Sequence, residues 1–110
     1  MGLRDLRAEL SQLDVIDQGP LLQQLSHDQF SFSPSLVPRL QPCCADRVVR
    51  VSSTAEVVQV AGACARHGVP LTPRGAGTGN YGQAVPLEGG VVLDTSAMQQ
   101  VRQFDPLSGV

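Results

Sequence analysis

Apolar residues in the first part of the chain recur at three- and four-residue steps. The spacing of Leu3, Leu6, Leu10 and Leu13 predicts an amphipathic helix over about residues 2–13. Residues 14–19 end this helix, and residues 20–25 predict a short second helical turn. Prolines at 34, 38 and 42 then interrupt residues 26–46. We therefore expect this segment to be an extended lead-in that runs over a surface.

A further helix is predicted together with both of its ends. In the capping box Ser-Thr-Ala-Glu at 53–56, the Ser53 hydroxyl accepts the Glu56 N–H and the Glu56 carboxylate reaches back. An apolar stripe at helical period follows and includes Val57, Val60 and Cys64. The helix is expected to close at Gly68, which can take the left-handed position after a helix.

Apolar, β-branched runs predict strands at 47–51, 69–72 and 91–95, and a fourth strand at 101–104. The predicted helix at 53–68 joins the first two strands. Strands joined in this way are normally parallel and connected by a right-handed crossover. A bound phosphate is then expected just beyond the carboxyl end of the second strand, where open α/β sheets bind ligands.

The segment after that second strand is the most informative part of the chain. Residues 73–82 read Pro-Arg-Gly-Ala-Gly-Thr-Gly-Asn-Tyr-Gly, with four glycines in eight positions. Glycine permits positive φ and lets a ligand approach the backbone closely. Successive inward N–H groups form a nest that binds anions. The alternative is a glycine-rich surface turn without a ligand, but the apolar strand before the loop favours a site for phosphate or diphosphate.

Two common phosphate motifs are excluded for this loop. Residues 77–82 match G-x-G-x-x-G, but that pattern requires a helix to start at the loop. Pro86 and the pair Gly89–Gly90 make a long helix unfavourable there. Asp94 comes too early in the chain for the expected ribose contact. The Walker pattern fails because the chain contains no lysine.

Composition narrows the class of partner. The 110 residues suffice for one small domain. A net charge of −2 and few aromatic residues argue against nucleic-acid binding, and no apolar stretch is long enough to span a bilayer.

The N-terminus lacks the apolar core of a secretory signal, so a cytoplasmic location is expected. The cysteines at 43, 44 and 64 are odd in number and lack metal-ligand spacing, which predicts reduced packing or surface thiols and no metal site.

Three segments together resemble the FAD-binding domain of the p-cresol methylhydroxylase and vanillyl-alcohol oxidase flavoproteins. Residues 50–68 resemble the family's strand and "S-T-x-E-V" helix, and residues 73–79 resemble its pyrophosphate loop. Residues 89–98 are similar to its "G-G-V-V-L-D-x-S-x-M" strand and turn. The branch that matches best is the glycolate oxidase subunit and D-lactate dehydrogenase group.

The resemblance implies an α+β fold, namely the first subdomain of such a domain, with an N-terminal helix, a β-α-β unit and a small sheet. It also implies that FAD is the cofactor. Thr78 can add a hydroxyl donor, and the Arg74 side chain has two open roles, pairing with phosphate or bracing the loop. Some family members attach FAD covalently through a histidine where Thr78 stands, so FAD is expected to be non-covalent. The implied diphosphate-binding residues are Arg74, Gly75, Ala76, Gly77, Thr78, Gly79, Asn80 and Gly82.

The predicted organisation has two parts. Residues 1–46 form the N-terminal helix and lead-in, and residues 47–110 form the N-terminal half of the flavin domain. Family members continue into a substrate domain, so we assign no catalytic residue, and we expect residues 1–110 alone to be inactive, with the other half of the flavoprotein as a partner. The favoured function is part of an FAD-dependent oxidoreductase of 2-hydroxy acids such as glycolate or D-lactate. Alternatives are a non-catalytic nucleotide-binding or interaction remnant of a split flavoprotein, and a flavin domain of different chemistry.

Overall fold

A computed structural model describes residues 3–110. These residues form four strands, four α-helices and one 3-10 turn. Gly2, where the first predicted helix was expected to begin, lies outside the described residues. In chain order the elements are α1 (Leu3–Glu9), β1 (Asp14–Ile16), α2 (Pro20–Gln24), a 3-10 turn (Phe30–Phe32), α3 (Val37–Leu40), β2 (Arg47–Arg50), α4 (Thr54–His67), β3 (Leu71–Arg74) and β4 (Val91–Asp94).

The strands form one mixed sheet in the order β1-β2-β4-β3. β2 and β3 both run parallel to β4, whereas β1 pairs antiparallel with β2. The predicted β-α-β unit is therefore confirmed as parallel, although β4 lies between its two strands. The last residues of the parallel strands, Arg50, Asp94 and Arg74, are in register along one edge. We call this the carboxyl edge of the sheet.

Helix α4 has the ends that its sequence predicts. The Ser53 hydroxyl accepts the Glu56 N–H at 3.2 Å, and Gly68 closes the helix in the left-handed conformation with φ 63°. The reciprocal half of the predicted capping box differs. The Glu56 carboxylate accepts hydrogen bonds from the N–H and hydroxyl of Ser52, at 3.2 and 2.7 Å. Ser52 directly precedes the cap, so the carboxylate still stabilises the chain where it enters the helix.

The larger core fills the space between one face of the sheet and two helices. Leu6 of α1, Leu10 directly after that helix and Val60 of α4 are fully buried against strand residues such as Val49 and Val91. Glu9 ties the two helices together at the surface, 2.6 Å from Arg66 Nη2 and 3.0 Å from His67 Nε2. The hydrogen bond from Arg66, which has the larger effect, and the hydrogen bond from His67 lower the pKa of the Glu9 carboxyl.

Two smaller clusters complete the core, one of them on the opposite face of the sheet. Val48 and Val92 pack with Leu25 and Ala45. Phe30, Leu40 and Val85 form the third cluster. The cysteines fit the expectation of packing thiols: Cys64 belongs to the larger core, where burial raises the pKa of its thiol, and Cys43 and Cys44 are half-buried.

Several predicted elements need correction. Residues 14–19 contain the short strand β1, which is stabilised by antiparallel pairing with β2. The lead-in at 26–46 is not continuously extended, since it holds the 3-10 turn and α3. The strand expected at 69–72 begins at Leu71, because the Val69 N–H still closes the end of α4 on the Cys64 carbonyl.

The fourth predicted strand does not form. Residues 101–104 have no strand conformation, and Val101 and Phe104 are 79% and 77% exposed. β4, the nearest strand along the chain, already pairs with β2 on one side and β3 on the other. Among residues 3–110, no helix combines the length and apolarity needed to cross a bilayer.

Candidate functional site

The glycine-rich loop follows β3 directly at the carboxyl edge. It borders an open concavity of about 320 Å³. This is the location where open α/β sheets bind ligands, because the strand ends leave a crevice there. The lining residues are Asp28, Pro73, Arg74, Gly75, Ala76, Gly77, Thr78, Gly79, Gln83 and Ala84.

Six consecutive backbone amides in this loop are unpaired. Within residues 3–110, no acceptor takes a hydrogen bond from the N–H groups of residues 75–80. The next amide along the chain, that of Tyr81, donates to Gln83 Oε1 at 3.1 Å. Exposed amides that lack internal acceptors are free to bind an anion, as expected for a nest. This is the condition on which the phosphate-site prediction depends.

Arg74 places a positive charge behind the loop. Its Nη1 donates to the carbonyls of His27 at 2.6 Å and Leu25 at 3.4 Å. No ion pair formed by the described residues includes Arg74. The side chain therefore braces the loop against the N-terminal segment while its charge stays uncompensated by a carboxylate. Both roles left open for Arg74 are compatible with this position.

Two glycines of the loop lie closely against the ends of neighbouring side chains. Gly77 has φ 70°, and a Cβ there would overlap the Arg74 guanidinium. A Cβ at Gly79 would lie 2.5 Å from Gln83 Oε1 and 3.3 Å from Asp28 Oδ2. A larger residue at Gly77 would be strained at positive φ and would displace the Arg74 side chain, whereas at Gly79 the end of the Gln83 side chain would have to shift.

Residues 25–30 hold the loop from the N-terminal side, which the sequence did not indicate. The Gln29 N–H donates to the Gly79 carbonyl at 2.8 Å. Asp28 Oδ1 accepts the Phe30 N–H at 2.9 Å, which shapes this segment, while Asp28 Oδ2 is shielded from solvent and has no partner among the described residues. No periodicity or motif marks residues 25–30, because their role arises from contacts with residues about 50 positions away.

The structure groups most, but not all, of the predicted site residues. Arg74 to Gly79 line the concavity, whereas Asn80 and Gly82 do not. Gly82, at φ 84°, instead packs on Leu40, where a Cβ would lie 2.5 Å from Leu40 Cδ1. Contacts from Asn80 and Gly82 to a ligand stay predictions.

Asp94 has a structural role at the same edge. It is 1% exposed, and its Oδ2 lies 3.2 Å from Arg50 Nε. Its Oδ1 accepts the Ser96 N–H at 2.9 Å. The carboxylate is therefore fully engaged within the chain, in agreement with excluding it as a ribose ligand of the dinucleotide-fold type.

The residues present fit a diphosphate group. A run of unpaired N–H donors and an arginine without a carboxylate partner supply hydrogen bonds and charge to an anion. The glycines allow such a group to approach the main chain closely. The loop therefore has the features of a main-chain site for an anion such as diphosphate.

Comparison with known proteins identifies the family. The model of the family described as FAD binding domain matches residues 45–110, and the chain belongs to this family. It is 38% identical over 60 residues to the glycolate oxidase subunit GlcD of Bacillus subtilis (strain 168), covering 54% of this chain and 13% of that protein. It is 28% identical over 97 residues to a D-lactate dehydrogenase of Anaerostipes hadrus, covering 88% and 19%. The chain thus spans less than a fifth of these curated relatives.

Solved structures share the fold. An alkyldihydroxyacetonephosphate synthase superposes with a TM-score of 0.78 at 20% identity, covering 96% of this chain and 23% of that one. p-Cresol methylhydroxylase superposes with a TM-score of 0.68 at 23% identity, covering 96% and 20%. The predicted α+β fold and the predicted family are confirmed.

Proposed function

We propose that residues 74–80, together with Gly82, bind the diphosphate of non-covalent FAD in an oxidoreductase that acts on 2-hydroxy acids. The observation that carries the diphosphate site is the run of unpaired amides at 75–80 beside a concavity at the carboxyl edge. The substrate class is supported by similarity to a glycolate oxidase subunit and a D-lactate dehydrogenase. Mitochondrial D-2-hydroxyglutarate dehydrogenase of Rattus norvegicus, 33% identical over 67 residues, supports the same class.

The chain's own contribution is binding and orientation. The amides of residues 75–80 donate to phosphate oxygens, and Arg74 adds positive charge from behind the loop. Thr78 offers a hydroxyl donor at the same concavity. Bound FAD would supply the hydride-accepting chemistry, and protein groups would position it and tune its electrostatics. We assign no catalytic residue, and we propose that residues 1–110 by themselves bind FAD weakly and turn over no substrate.

Titration with FAD tests the cradle. We expect Gly77→Val to weaken FAD binding at least about tenfold, because its side chain displaces Arg74 and strains a residue at positive φ. Flavin fluorescence measures the affinity, and thermal melting checks that the variant is folded. Gly109→Ala is the matched control, since Gly109 also has positive φ (75°) but has open space around its Cβ position. Equal FAD affinity in Gly77→Val and the wild type would remove the loop as the binding site.

Two finer points have separate tests. Thr78 stands where covalently flavinylated family members carry histidine, so FAD should leave the polypeptide on denaturation. Flavin that stays attached to the unfolded chain, detected by mass spectrometry, would refute non-covalent binding. We also place the protein in the cytoplasm, and cell fractionation with an antibody to the chain tests that location.

A further inference from the structure

The two ends of the unpaired loop are each fixed by a carbonyl group that accepts hydrogen bonds. At the first end, the Arg74 carbonyl accepts two: from the Thr95 N–H at 2.9 Å and from the Thr95 hydroxyl at 3.1 Å. At the other end, the Gly79 carbonyl accepts the Gln29 N–H at 2.8 Å. Between these two carbonyls lie the amides that have no partner.

A fixed carbonyl also fixes the next amide. The peptide group is planar and trans, so the N–H of a residue points opposite to the carbonyl of the residue before it. Holding the Arg74 carbonyl toward Thr95 therefore directs the Gly75 N–H away from β4. Contacts at Gly75 do not fix the orientation of this peptide group. The space around the Gly75 Cβ position is open to 4 Å, and the Gly75 N–H has no acceptor among residues 3–110.

The Thr95 hydroxyl adds to what the sheet already supplies. The Thr95 N–H continues the ladder between β3 and β4, and any residue at 95 except proline can provide it. The hydroxyl is a second donor to the same oxygen, which has two lone pairs. It restrains the Arg74–Gly75 peptide plane, where β3 ends and the glycine-rich loop begins. Thr95 is half-buried and does not line the concavity, so it acts through the loop and not on the ligand.

We infer that Thr95 is a positioning residue for diphosphate binding: its hydroxyl pre-orients the first amide of the cradle. This inference rests on the proposed function. Pre-organised donors bind more tightly because less conformational freedom is lost on binding. The hydroxyl is therefore expected to contribute to affinity for ligands that carry the phosphate pair.

The test compares two substitutions at one position. Thr95→Val keeps the shape and the backbone N–H but removes the hydroxyl, whereas Thr95→Ser keeps the hydroxyl. We expect Thr95→Val to weaken FAD binding about three- to tenfold, the effect of one hydrogen bond. Thr95→Ser should stay within about twofold of wild type on the same scale. Inorganic diphosphate, used as a competitor, should lose affinity for Thr95→Val in parallel. The inference would be overturned if Thr95→Val bound FAD as tightly as wild type, or if Thr95→Ser bound FAD as weakly as Thr95→Val.

A second measurement separates this inference from the proposed function. Backbone ¹⁵N relaxation of the ligand-free chain reports loop order directly. In Thr95→Val the order parameter of Gly75 should fall toward the flexible range below about 0.6, and in Thr95→Ser it should not. An unchanged Gly75 in the Val variant would contradict the positioning role even if no flavin bound. A wild-type chain that binds neither FAD nor diphosphate, with the expected loss of order in Val, would instead contradict the proposed function.

Discussion

Two glycine-rich segments of this chain serve opposite purposes. At Gly89 and Gly90, both at positive φ, the backbone groups are used internally. The Gly90 N–H donates to the Asp46 carboxylate at 2.7 Å, and the Gly90 carbonyl accepts from Asp46 and Arg47. In the loop after β3, by contrast, the amides of residues 75–80 have no partner in the described part of the chain. The turn binds the Asp46 carboxylate of the same chain, whereas the donors of the loop have no acceptor among residues 3–110.

Hydrogen bonding distinguishes the glycines of the turn at 89–90 from the glycines of the loop after β3. Both segments belong to motifs that resemble the same flavoprotein family, and composition alone does not distinguish them. Gly90 is buried, and a Cβ there would overlap the Pro70 carbonyl oxygen, a backbone atom. A Cβ at Gly77 would meet a side chain, Arg74, which can move. Substitution at the turn should therefore affect stability, and substitution at the loop should affect binding.

The largest expected effect is loss of stability in Gly90→Ala. The new Cβ overlaps backbone and the residue is held at φ 79°, so we expect the free energy of unfolding to fall by about 2–4 kcal/mol. Urea denaturation followed by circular dichroism measures the change. Gly109→Ala serves again as the control for a residue at positive φ in open space. A Gly90→Ala protein as stable as this control would break the distinction between the two segments.

An intermediate effect is expected at the second carbonyl that fixes the loop. Gln29→Pro removes the N–H that donates to Gly79, so the Gly79–Asn80 peptide plane loses its restraint. We expect FAD affinity to fall about fivefold, in line with one backbone hydrogen bond. The Gln29 side chain is exposed, so Gln29→Ala keeps the N–H and is the matched control. Equal affinities of the two variants in a fluorescence titration would show that this bond does not shape the cradle.

The smallest effect concerns the helices far from the loop. The pKa of Glu9 is lowered by hydrogen bonds from Arg66 and His67. A carboxyl whose pKa is lower in the folded state than in the unfolded state stabilises the folded protein at pH values above the unfolded-state pKa. This contribution is lost as the pH falls through the folded-state pKa. The melting temperature of wild type should therefore exceed that of Glu9→Gln slightly at neutral pH, and the difference should shrink as the pH falls below the unfolded-state pKa of about 4.3. A difference that persists at low pH, or a changed FAD affinity, would contradict this assignment.

Local signals carried the sequence predictions that succeeded. Helix α4 was predicted with its cap at Ser53 and its end at Gly68, because each signal lies within a few residues of the feature that it specifies. The glycine-rich loop is visible in the sequence for the same reason, whereas its role as a diphosphate site stays a prediction. Strand β1, only three residues long, depends on pairing with β2 and left no clear pattern.

What the sequence could not supply was the set of contacts that shape the loop. Gln29 meets Gly79, and Arg74 meets the carbonyls of Leu25 and His27, at separations of 47 to 50 residues. Conversely, residues 101–104 have the composition of a strand but pair with no strand of the sheet. A strand forms only where tertiary contacts bring it beside a partner, which local composition does not specify.

The most direct test is a ¹⁵N–¹H correlation spectrum of the chain titrated with FAD and, separately, with inorganic diphosphate. The amide signals of residues 75–80 should shift with both ligands, and the Gly90 amide, which already donates to Asp46, should remain in place. Saturating shifts at Gly90 with none in residues 75–80 would contradict the claim that unpaired main-chain donors form the flavin diphosphate cradle.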